Sequence, residues 1–341
     1  MRQEMALNSD QNSEPSRDDA RPTEKHPKLR PQTQLDSRTT TRLPAFVFLS
    51  IVSIIFWWHP LVTTAELALS NDAYTHILLI LPLSAALIYF DLKQQGAKST
   101  NSTKFAADPQ LGSLPGAVLL GLALAIGCYG RWGMSATPDD VRLSLSMFSI
   151  VAWWLASVLF CFGARTFRLF LFPLCFLLLI VPIPSFALNW IVEFLQQQSA
   201  SAARIMFHAI GVPVTQDGII LSIPNLDIEV ARECSSIRSS LMLVVTTLVL
   251  AQLFLSSWWR KVLLVVAAIP LSVAKNGLRI VTIGELGTRV DPAFLSGRLH
   301  HNGGVLFFGL SVAAICALLW MLWITEHHMA RGARVLTKSG S

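Results

Sequence analysis

Eight largely apolar runs of about 17–25 residues follow one another along this chain, at 43–62, 76–92, 113–130, 144–163, 167–186, 236–256, 260–284 and 304–324. A run of that length covers the ~30 Å hydrocarbon core of a bilayer when it rises ~1.5 Å per residue as a helix. Lipid offers backbone N–H and C=O groups no water, so each run must satisfy them internally, which makes helices of all eight. The expected fold class is therefore all-α: a polytopic transmembrane helical bundle of about eight spans. Composition agrees, with 52% hydrophobic and 14% charged residues against about 25% charged in soluble domains.

Outside the runs the chain divides simply. Residues 1–42 are rich in Ser, Thr, Gln, Pro, Asp and Arg and have almost no large apolar side chains, so they are expected to be a disordered cytoplasmic tail. The first apolar run starts near Leu43, too late for a signal peptide, and has no cleavage-site pattern. Residues 43–325 form the expected membrane domain, and 326–341 a cytoplasmic C-terminal tail.

The net charge of +6 is spread in short clusters between apolar runs, which reads as topology and not as a nucleic-acid surface. Lys93, Lys98 and Lys104 follow the second span, Arg165 and Arg168 follow the fourth, Arg260 and Lys261 precede the seventh, and Arg331, Arg334 and Lys338 follow the last. With the eight basic residues of the N-terminal tail, both termini come out cytoplasmic and the loops before the sixth and eighth spans face outward.

The connection between the fifth and sixth spans is the longest. Asn189 to Ile210 has apolar residues at helical spacing and a Gln/Ser-rich other face, the pattern of an interfacial helix. Gly218 to Val230 is rich in β-branched residues around Pro224-Asn225, which predicts a small extracytoplasmic hairpin leading directly to Cys234.

Four of the five cysteines lie within apolar runs, where a thiol is a small hydrophobe; Cys234 alone has polar neighbours, Arg232, Glu233 and Arg238. A helix start and adjacent cations favour thiolate, so a nucleophile fits there, as does a small residue packing at a helix start. Arg279 lies near the outer end of the seventh span with Lys275 and Asn276 on the same face. A charge within a span costs about 2.5–3.5 kcal/mol on insertion scales and usually faces the bundle interior, the alternative being a guanidinium that snorkels to the helix end.

His300 and His301 precede the eighth span, where an imidazole can exchange protons near neutral pH or simply be an interfacial polar group. No cysteine pair has metal-ligand spacing, and adjacent histidines are not a helical His-x-x-x-His pair, so neither metal nor other cofactor is expected. The topology puts thiol, guanidinium and imidazole at one leaflet, a set suited to acyl transfer through a thioester.

At these residues the chain resembles the exosortase/archaeosortase family of membrane-embedded cysteine transpeptidase-like enzymes. The likeness runs from about His76 to Gly309. It rests on THILLI, FLLLIVPIP, GVPVTQDGII with the following IP and IEVARECSSIRS, NGLRIVTIGELG, and the H-x-x-x-G from His300 to Gly304. It implies Cys234 as nucleophile, Arg279 as the essential arginine and His300, chosen over His301 by the spacing to Gly304, as the catalytic histidine. Asn276, Arg238, Glu233 and His301 are the supporting candidates. The family usually has Cys-Ser-Gly where this chain has Cys234-Ser235-Ser236.

The resemblance further implies a location in the bacterial cytoplasmic membrane with the site facing outward. The partners it implies are exported proteins that end in a short motif, often Pro-Glu-Pro, then a transmembrane helix and a basic cluster. A glycan or lipid acceptor is implied besides the membrane lipid, and no nucleic acid. Two other readings use the same residues: a transporter or flippase lined by Lys275, Arg279 and His300, and a non-catalytic subunit of exopolysaccharide export.

Overall fold

The structure is a computed structural model and describes residues 37–98, 110–132, 137–224, 226–230, 237–291 and 298–339. It is an all-α polytopic bundle with a small sheet, as the apolar runs predict. Six helices are long and apolar enough to cross a membrane, or eight spans if each of two sharply bent pairs counts as one. The chain is a multi-pass membrane protein.

The first half comprises α1 (Ser37–Phe56), α2 (Trp58–Ser70), α3 (Ile77–Lys98), α4 (Gln110–Trp132), α5 (Asp139–Leu169) and α6 (Leu171–Phe176). The first expected span is broken: α1 and α2 meet at 71°. Pro60 explains the break, since it lacks an N–H and its ring clashes with the carbonyl four residues earlier, that of Phe56. That carbonyl accepts a hydrogen bond from Arg131 Nη1 at 3.4 Å. α5 is interrupted at Gly163, where φ is 81°, a value glycine adopts without strain.

The fifth expected span, 167–186, is not one helix. α6 and a 3₁₀ turn (Leu177–Ile180) give ten residues, and after Val181–Pro184 the chain turns 95° into α7 (Ser185–Ala209). Pro182 and Pro184 prevent the helix from continuing. The carbonyls this frees are occupied: Ser144 Oγ donates to Pro182 O and Tyr74 Oη to Ile183 O, both at 2.8 Å. Asp140, at the start of α5, accepts from Ser185 N at 2.6 Å and so places a carboxylate on the first amide of α7.

The second half holds α7, three short strands, α8 (Ile237–Phe254), α9 (Trp258–Arg289) and α10 (Arg298–Ser339). Strands β1 (Thr215–Asp217), β2 (Ile220–Ile223) and β3 (Leu226–Glu229) form an antiparallel meander in the order β1-β2-β3. Ile223 pairs with Leu226 across the expected Pro224-Asn225 turn, and β1 adds a third strand to the expected pair. α8 joins the halves, for Val245 packs with the first-half core around Trp57, Ile150 and Trp153. Its Leu243 and Ala251 pack instead with α9 and α10 through Leu264, Ala268, Ile315 and Leu319.

Candidate active site

α9 carries a buried cation at each end. At its start Arg260 lies 3.6 Å from Glu326 of α10. The Leu264–Ala268 and Ile315–Leu322 stretches pack together, so α9 and α10 run antiparallel. The far end of this hairpin carries Arg279 on α9 and, in the first turn of α10, His300 and His301. Of residues 298–303 the backbone alone is described.

Lys275, Asn276 and Arg279 are all buried, Asn276 completely. Four residues separate Lys275 from Arg279, so the two cations share one helical face and repel each other. Lys275 Nζ donates to Ser239 Oγ in the first turn of α8. Ser239 is five residues beyond Cys234 in the sequence.

α7 covers the same end of α9. A Cβ on Gly277 would meet the Ala202 Cβ at 3.0 Å and the Ala203 nitrogen at 3.1 Å; one on Gly284 would meet the Ile228 Cδ1 at 2.8 Å and the Phe207 ring at 3.1 Å. The glycines therefore permit the close approach, as small residues do between helices in lipid. The helix expected at Asn189–Ile210 is four residues longer at its start, and its faces are distributed as in a membrane. Phe186, Trp190 and Phe194 are exposed, whereas Gln196, Ser199, Ala200 and Ala203 turn inward.

The sheet sits against this helix pair through Leu221, Ile223 and Val230, packed with Phe207, Val212, Ile280 and Val281, the last two following Arg279 directly. Val230 ends the sheet fully buried: its N–H donates to Ile219 O at 3.0 Å, and its carbonyl accepts from Gln196 Nε2 at 2.7 Å. Cys234 and Glu233 belong to residues 231–236 and lie outside the described residues. On either side of that segment, Val230 on the sheet is bound to Gln196 of α7 and Ser239 in the first turn of α8 is bound to Lys275 of α9.

Of the supporting candidates, Asn276 is in the buried cluster, while Arg238 is half-exposed and pairs with Asp72 at 2.8 Å, on the 3₁₀ turn (Asp72–Tyr74) before α3. That ion pair joins the two halves at the same end of the bundle. Gln196 is the polar contact that sequence reasoning missed, because Gln196, Gln197 and Gln198 all look like one solvated face. Among the described residues no cluster of three His, Cys, Asp or Glu side chains could hold a metal ion.

The family model described as "Transmembrane exosortase" matches residues 57–320, well over half of the 341 residues and inclusive of every element just described from α2 through most of α10. No curated protein and no solved structure matches the chain.

Proposed function

The chain belongs to the transmembrane exosortase family, and from that premise we propose that it is a cysteine-type peptidase and transpeptidase that cleaves the C-terminal sorting signal of exported proteins. The observation that carries the reading is the convergence on the Arg279 end of α9. Gln196 holds the chain four residues before Cys234, and Lys275 holds it five residues after. The described residues on either side of the Cys234 segment are thus both bound at the end of α9 that carries the buried guanidinium.

In this reading the Cys234 thiolate attacks the scissile carbonyl, forming a C–S bond and a tetrahedral oxyanion. Arg279 donates hydrogen bonds to the developing negative charge, the kind of preorganised stabilisation that is strongest where water is excluded. His300 takes the thiol proton and returns it to the leaving amine as the C–N bond breaks. The resulting thioester is resolved by an acceptor hydroxyl or amine, or by water, which restores the thiol. The site faces the outside of the bacterial cytoplasmic membrane, and the substrate's transmembrane helix packs laterally in lipid. Its basic cluster stays on the cytoplasmic side, and the acceptor belongs to an exported glycan or lipid.

Broken helices are also a transporter feature, since carbonyls at a break can coordinate a solute. Here the carbonyls of Phe56, Pro182 and Ile183 are already taken by Arg131, Ser144 and Tyr74, which favours the enzyme. The deciding experiment co-expresses the chain with a protein carrying a C-terminal motif, helix and basic cluster. Cys234→Ala and Arg279→Ala are expected to abolish shortening of that protein while still accumulating in the membrane. Normal processing by both variants would overturn the proposal.

A further inference from the structure

The seam between α8, α9 and α10 is apolar over most of its length, with Leu243 and Ala251 of α8 and Leu264 and Ala268 of α9 packed on Ile315 and Leu319 of α10. Followed toward the Lys275 end, each helix changes character on that same face. On α8 the buried stripe Ala251, Thr247, Leu243 continues into Ser240; on α9 Leu264 and Ala268 continue into Ser272 and Lys275; on α10 Ile315 continues into Ser311. Positions three or four apart share one face of a helix, so the serines and Lys275 look into the seam. Their heights agree as well. Ser240 lies 16 residues before Ser256 in the α8–α9 turn, and Ser272 lies 16 after it. Ser311 lies 15 residues before Glu326, and Lys275 lies 15 after Arg260, the residue that Glu326 pairs with.

Buried helical hydroxyls commonly give their proton to a carbonyl one turn back: Ser157 Oγ to Trp153 O at 2.7 Å, Thr247 Oγ1 to Leu243 O at 2.6 Å and Ser311 Oγ to Phe307 O at 2.9 Å. Ser240 and Ser272 do not. Their hydroxyls are buried without a hydrogen-bond partner, a property they share among the described residues with Thr64 on α2 and Ser199 on α7. Such a group costs about 1–3 kcal/mol. Beside these two donors stands the Lys275 ammonium, which donates to Ser239 Oγ and has two further N–H bonds to give. Donors that converge from two helices on one buried spot are complementary to an anion.

We propose that Ser240, Ser272 and Lys275 form a specificity site that receives the side-chain carboxylate of an acidic residue in the peptide substrate. The proposal rests on the cysteine-peptidase reading and adds the part of the substrate that this end of α9 selects. A carboxylate fits because its negative charge pairs with the ammonium and its two oxygens accept from both hydroxyls and from Nζ at once. It is also slender and carried on a flexible stem, so it reaches a lysine that is only 5% exposed. A lipid phosphate stays at the headgroup level.

The test uses the full-length protein in detergent and two versions of one sorting-signal protein, one with an acidic residue in its motif and one with the corresponding amide. The quantity read is the ratio of kcat/KM for acid over amide. Wild type is expected to favour the acid about 10-fold, chiefly through KM, because the contact is made on binding and kept through the reaction. Lys275→Met is expected to bring the ratio to about one. Ser240→Ala and Ser272→Ala are each expected to lower it about 3-fold. Both serine variants should keep or raise the thermal midpoint, since each removes a buried hydroxyl that has no partner in the free protein. A serine with a merely structural role would lower the midpoint and leave the ratio alone.

The proposal is overturned if wild type cleaves acid and amide alike, or if the preference survives Lys275→Met. Equal losses on both substrates in Lys275→Met leave the ratio unchanged and overturn it too; that is the result expected if Lys275 holds a lipid phosphate. If Lys275→Met does not accumulate, the two serine variants decide. Failure of the underlying chemistry is read separately, as processing that persists in Cys234→Ala.

Discussion

Arg260 and Lys275 are both buried cations on α9, about four turns apart, and the fold surrounds them differently. Arg260 faces a carboxylate, Glu326, which also accepts from the backbone N–H of Ser257 at 2.9 Å and so caps the first turn of α9. Its guanidinium lies 5.1 Å from the centre of the Trp259 ring. Lys275 has a hydroxyl as its partner, Ser239, and a second cation one turn away; among the described residues no carboxylate lies within 4 Å of it. A cation closed on a carboxylate ties helices together. Lys275 is instead held by a neutral hydroxyl, an arrangement consistent with the chemistry proposed for that end of the helix.

Removing the carboxylate at the closed end is the largest expected effect. Glu326→Ala takes the carboxylate away from the buried Arg260 and opens the α9 cap, which is expected to destabilise the protein by about 3–5 kcal/mol. Thermal unfolding in detergent measures it, and activity per folded molecule should be unchanged. A destabilisation below about 1 kcal/mol would break the contrast, by showing that the Arg260 end is not a structural lock.

Lys275→Met tests the open end. Methionine keeps the unbranched length of the side chain and removes the charge, so stability is expected to hold or rise, as it often does when apolar groups replace buried ions. Sorting-signal processing is expected to fall about 10-fold, which is about 1.4 kcal/mol of transition-state stabilisation. Lost stability with intact processing would put Lys275 in the same class as Arg260.

The same contrast marks what was legible in the sequence. Run length and Lys/Arg spacing gave the membrane bundle and the placement of Arg279 and the start of α10 at one end, because lipid enforces helices and apolar length is countable. Pro60, Pro182 and Pro184 were visible too, yet a run of apolar residues hides a break when hydropathy is averaged across it. What averages could not reveal was which freed carbonyls would be taken by Arg131, Ser144 and Tyr74, since those bonds span 38 to 109 residues. The inward face of α7 was misleading for a related reason. In water the Gln/Ser face of a helix is solvated, whereas in lipid Phe186, Trp190 and Phe194 face out and Gln196 turns in to meet Val230. The pairing of Lys275 with Ser239 likewise depends on how α8 packs on α9, which no local pattern encodes.

Asp72 and Arg238 give the smallest effect and the sharpest control. They pair at 2.8 Å at the same end as Lys275 and join the two halves of the molecule, but both side chains are more than half exposed. Solvent and mobile ions compete for such a pair, so Asp72→Asn is expected to lower stability by about 0.2–1 kcal/mol. The difference from wild type should vanish near 1 M salt, where the screening length is ~3 Å. Lys275→Met, with its amine buried, should keep its processing defect at the same salt. If Asp72→Asn instead abolished processing and salt did not mask it, the pair would belong to the site, and the working end of α9 would extend across to the first half of the bundle.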